Sequence, residues 1–139
     1  MLRTLLLILL LGRLLISEEI IVIGDKNFPK ETLTIQEIRA VFLDKKRFFI
    51  GEKKVLVMNY KFHHPLRNCF EKNILKKSQR SLERYWAKAY YQGKQPPKII
   101  KSIPMLLGYI ENVHPSIGYS DVNATFGKEI KILYKGECL

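Results

Sequence analysis

Four apolar runs of strand length are spaced along the chain, and helical periodicities fill the intervals between them. Glu19-Ile20-Ile21-Val22-Ile23-Gly24 is apolar on both faces, the pattern of a central strand covered by helices on both sides. Val55 to Met58 is a second, β-branched run. Ile117-Gly118-Tyr119 reads as a short buried strand, and Ile130-Lys131-Ile132-Leu133-Tyr134 as the last one, with an edge position open to it. The first helix is announced by Thr34-Ile35-Gln36-Glu37, a capping box in which Thr34 and Glu37 satisfy each other's backbone N–H groups. Leu33 and Ile38 flank it as a hydrophobic staple, and Ile35, Ile38, Val41 and Phe42 line one face. Asp44-Lys45-Lys46-Arg47 then turns the chain, and Phe48, Phe49 and Ile50 form an apolar patch before Gly51.

A second helix is predicted from Pro65 to about Lys77, with Leu66, Phe70 and Ile74 recurring every four residues. Ser78 is placed to cap a third, whose apolar face carries Leu82, Tyr85, Trp86, Ala89 and Tyr90. Gly93 suits the left-handed residue that ends it, and Pro96-Pro97 forces an extended connector. Ser102 caps a fourth helix, with Leu106, Leu107, Ile110 and Val113 inward and His114-Pro115 as its stop. Strands alternating with helices predict an α/β fold, a mixed sheet with helices on both faces.

The stretch from Val55 to Phe70 organises this pattern as strand, polar loop and helix start. Pro65 suits the first helical turn, where its missing N–H would have had no partner. Such a loop presents free N–H groups and the positive end of a helix dipole, an arrangement suited to an anion. Lys61, His63, His64 and Arg67 surround this point, with Asn59 at the end of the strand, and these five are the candidate ligand-binding residues. The plain alternative is a βα turn whose basic residues sit in water. Arg67 itself has two readings: a contact to a bound anion, or an ion pair with Glu71 four residues on.

At 139 residues the chain has room for one domain of ordinary size. Its net charge of +11 points to acidic partners. Arg3 followed by Leu5 to Leu11 reads as a secretory signal over residues 1–17, with Ser17 before the cut and residues 18–139 as the mature domain. Arg13 interrupts the apolar stretch, and no Ala-x-Ala site follows. The expected location is the periplasm or the exterior. Of the two cysteines, Cys69 and Cys138, an exported protein could make a disulfide, and the alternative is a pair of free thiols. No Cys or His spacing suits a metal, the adjacent His63-His64 included, and no cofactor motif is present.

Lys72, Lys76, Arg80, Arg84 and Lys88 would form a basic stripe on one continuous helix, but Ser78 is expected to break it. Tyr85, Trp86, Tyr90 and Tyr91 are spaced for packing more than for stacking bases, and nucleic-acid binding would rest on charge alone. There is no Gly-x-Ser-x-Gly, phosphate-loop lysine or His-Glu-x-x-His motif and no carboxylate pair, so no catalytic residue is assigned. The chain reads as a binder, not an enzyme.

Leu33 to Lys46, with its Leu-Thr-Ile-Gln-Glu-Ile opening, resembles the segment that begins the second lobe of phosphate ABC transporter substrate-binding proteins. The strand Val55 to Asn59 and its helix follow in the same order. Leu82-Glu83-Arg84-Tyr85-Trp86, Gly93 with Pro96-Pro97, and Pro115-Ser116-Ile117-Gly118-Tyr119 are also similar to that family, apart from Ser116. The resemblance runs from about Ile20 to Tyr119 and implies a single periplasmic-binding-protein lobe that takes phosphate or a similar anion. The family's Ser-Gly-Thr at the helix start is replaced here by Lys61-Phe62-His63-His64-Pro65-Leu66-Arg67, so none of its ligand residues transfers. An accessory role in uptake or sensing follows. The alternatives are a ligand-free module docking on an envelope or transporter protein, and a homodimer that rebuilds the cleft.

Overall fold

A computed structural model describes residues 18–121 and 126–139; the predicted signal over 1–17 lies outside them. Strand β1 (Glu18–Asp25) is followed by helix α1 (Ile35–Phe42), the hairpin β2 (Phe49–Ile50) and β3 (Lys53–Lys54), and β4 (Leu56–Tyr60). Helix α2 (Pro65–Cys69) runs on into a π-helical turn (Phe70–Leu75), and α3 (Gln79–Tyr90), β5 (Lys98–Ile100), α4 (Ile103–Asn112), β6 (Ser116–Asp121) and β7 (Ile130–Cys138) complete the order. Five strands form one sheet in the order β5-β4-β6-β1-β7. β4 is parallel to β5 and β6, while β1 is antiparallel to β6 and β7. The sheet is mixed, and β7 takes an edge.

The helices cover both faces, and β6 shows why. A Cβ on Gly118 would collide with Leu106 of α4, so this position must stay bare for α4 to sit close. The next residue, Tyr119, points to the opposite face, where its ring stacks on Phe70 at 4.0 Å and meets Phe42 of α1. The buried Asp25 ties β1 to β6, accepting from the N–H of Ser116 at 2.8 Å.

The capping box at Thr34 is present, and Ser78 and Ser102 accept from Ser81 and Met105 N–H groups as N-caps. Pro65 is the first helical residue, and Gly93 is left-handed at φ 74°. The basic stripe is broken as expected, since Lys76 turns left-handed at φ 56° ahead of Ser78. Three features depart from the sequence reading. The residues around Gly51 form a hairpin, with Gly51 at φ 59° in its turn. The proline connector leads into the short strand β5. Tyr90, expected inward, is exposed with Tyr91 beyond the last turn, because Leu82 and Ala89 carry the buried face of α3. Cys69 and Cys138 form a disulfide with Cα atoms 5.4 Å apart, fastening α2 to the end of the edge strand.

Candidate functional site

The chain leaves β4 for α2 on one face of the sheet and leaves β5 for α4 on the other. Neighbouring parallel strands whose exits diverge in this way leave a crevice beyond their carboxyl ends. On the α2 and α3 side this region holds a cleft of about 360 Å³, lined by Asn59, Phe62, Arg67, Glu71, Trp86 and Ile99 among others.

The five predicted residues divide into two groups. Asn59 is 6% exposed, and its Oδ1 accepts from the Tyr60 N–H at 2.9 Å and from the Tyr119 hydroxyl. Arg67 is 7% exposed; its Nε–H donates to Glu71 Oε2 at 3.0 Å and its Nη1–H to the Tyr60 carbonyl at 2.8 Å. The Phe62 ring lies 4.0 Å from its guanidinium. These two residues are thus held by internal bonds. Lys61 and His63 are exposed on the loop, with His63 at φ 70° and neither side chain ion-paired among the described residues. His64 stands between the groups: its Nδ1 accepts from the Leu66 N–H at 3.1 Å as the N-cap of α2, and its ring stacks on Tyr60 at 4.4 Å.

Behind the loop, Tyr60 and Tyr119 stay neutral donors. Burial raises both phenols above their ordinary range, with Asp121 adding to the effect at Tyr60 and Tyr60 at Tyr119. The Tyr60 hydroxyl donates to the Tyr119 carbonyl at 2.8 Å. Sequence reasoning missed this tyrosine pair, since only the sheet brings residues 59 apart into contact. Glu71 was legible from its spacing to Arg67 alone.

His64 is set up as a pH-sensitive cap. Burial, and then the charge of Lys61, hold its pKa below the ordinary 6.5. The unfolded chain therefore binds the proton more readily. The cap's contribution is present above pH 6.5 and is lost as pH falls through the folded pKa. Urea titrations at pH 7.5 and 5 are expected to show the parent losing more stability than His64→Asn, by up to about 2 kcal/mol, the range of an N-cap. Equal losses would show that the cap is insensitive to protonation.

No protein-family model matches the chain, and no curated protein sequence matches it. Several solved structures share its fold. A protein assigned as a phosphate ABC transporter substrate-binding protein from Clostridium perfringens, solved with bound phosphate, matches with a TM-score of 0.66 at 15% identity over 84% of this chain and 44% of that one. An ABC-type phosphate transport receptor from Vibrio cholerae matches with a TM-score of 0.65 at 11% identity over 84% of this chain and 46% of that one. The chain spans under half the length of either structure, and its fold is that of a single periplasmic-binding-protein lobe.

Proposed function

We propose that this chain is an exported solute-binding lobe that takes phosphate or a similar small anion, without catalysis of its own, as an accessory to uptake or sensing. One observation carries the reading. The lobe fold is shared with a structure that holds phosphate, and the loop leaving β4 exposes the Lys61 ammonium and the His63 imidazole at the carboxyl end of that strand. His64 and the N-terminal amides of α2 stand beside them, and Asn59 and Arg67 brace the loop from within. The disulfide supports export, since such bonds persist in oxidising compartments. No helix among the described residues is long and apolar enough to cross a membrane.

Equilibrium dialysis with labelled phosphate at low salt tests the proposal. Saturable binding is expected, weakened about tenfold or more in Lys61→Ala/His63→Ala, the loss of charge-assisted hydrogen bonds to the anion. No binding at millimolar phosphate would overturn it. A second reading, a ligand-free module docking on an envelope protein, draws on the 46% exposure of Phe62 beside the cleft. Recovery of the same envelope protein by the parent and by Phe62→Asp would remove Phe62 from that surface.

A further inference from the structure

We infer that the cleft between β4, β5 and helices α2 and α3 is a second binding site, for a small uncharged organic molecule with a flat apolar body and one carbonyl-type acceptor. This inference does not rest on the anion reading, which concerns the exposed loop. The size of the cleft, about 360 Å³, lies at the small end of the range in which ligand pockets fall. Its apolar walls include Phe62, Leu75, Leu82, Trp86, Pro97 and Ile99, with Phe42 as a third aromatic side chain in the lining.

The charges in the cleft do not select an anion. Arg67 is already paired with Glu71, and Glu83 adds a further carboxylate to the lining. A phosphate ion would leave its hydration shell for apolar walls and a neighbouring carboxylate, at large cost. An uncharged body meets no such penalty.

The polar anchor is Asn59. Its Oδ1 accepts from both the Tyr60 N–H and the Tyr119 hydroxyl, and turning the side-chain amide over would set its NH2 against the Tyr60 N–H, a donor that cannot accept. Its Nδ2 donates to no group among the described residues, although Asn59 is 6% exposed and lines the cleft. Nδ2 is not among the fully buried side-chain atoms that lack a partner, so it is open to the solvent of the cleft, where a ligand carbonyl would accept from it in place of water. The donor at the floor and the aromatic walls together define the ligand class.

Trp86 provides the readout, as the single tryptophan of the chain and a wall of the cleft. Prodan, an uncharged naphthalene ketone, is the probe. Titration into the full chain is expected to give saturable, blue-shifted prodan emission with matching quenching of Trp86. Asn59→Asp keeps the acceptor for Tyr60 and Tyr119 but replaces the donor, and is expected to weaken binding about tenfold or more. Ile99→Glu alters a half-exposed side chain on β5 that takes no part in the Asn59 side-chain hydrogen bonds, although the two residues are strand partners, and is expected to weaken binding to a similar degree. Millimolar phosphate is expected to leave the Trp86 signal unchanged. No quenching at the solubility limit of prodan, parent-like binding in both variants, or displacement by phosphate would each overturn the inference. Failure of phosphate dialysis alone would overturn only the anion reading.

Discussion

Arg67→Ala will lower the free energy of unfolding by about 3–5 kcal/mol, the cost of leaving a buried charge without its partner. The variant strands the Glu71 carboxylate, which is as deeply buried as Arg67 itself. It also removes the donor from the Tyr60 carbonyl at the end of β4 and the cation beneath Phe62. Arg67→Met/Glu71→Met should recover most of the loss, because replacing both members of a buried pair with apolar groups is close to neutral. Urea unfolding of the parent, the single and the double variant measures this directly. A loss below about 1 kcal/mol in the single variant would mean that the pair behaves as a solvated surface contact. Of the two sequence readings of Arg67, the geometry shows the ion pair with Glu71. A cation in the first turn of a helix opposes the dipole, and here the acid one turn later offsets it.

Removing the disulfide is expected to cost about as much. The bond joins residues 69 apart in sequence. In the chain-entropy account a loop of that length stabilises by about 4 kcal/mol. Cys138→Ser should therefore lower the urea midpoint strongly, and the parent under reducing conditions should match it. The loss should appear first as faster amide exchange in β7, an edge strand whose last residues are otherwise held by β1 and by the Leu139 N–H to Asn73. Unchanged exchange in β7 would show that the pairing with β1 alone secures that edge.

Most of the architecture was legible because it depends on local signals. The capping residues Thr34, Ser78 and Ser102, the proline at the start of α2 and Gly93 all act within a turn of their own position. The central strands were legible because burial on both faces leaves an apolar run. What escaped depends on contacts distant in sequence. β5 is three residues long and exists as a strand because β4 lies beside it. The π-helical turn after Cys69 has no sequence signature, and Lys76 is left-handed without being glycine. For the site, the loop residues were found by charge and position. The bonding of Asn59 was not, since it depends on Tyr119 arriving from β6. The cleft was equally hidden, because its walls come from four stretches of chain, 42–43, 59–75, 82–86 and 96–99.

The disulfide also determines how the domain would carry mechanical load. Glu18 and Cys138 lie opposite each other at one end of the β1–β7 pair. Tension applied at these positions would pull the strands apart sideways, breaking the ladder one rung at a time and not shearing it as a block. With Cys138 fastened to Cys69, the strain bypasses everything between the two cysteines and enters α2 directly. The stretch that extends under force is then limited to residues 18–69, while α3, α4 and β5 to β7 stay enclosed in a covalent loop that tension cannot lengthen.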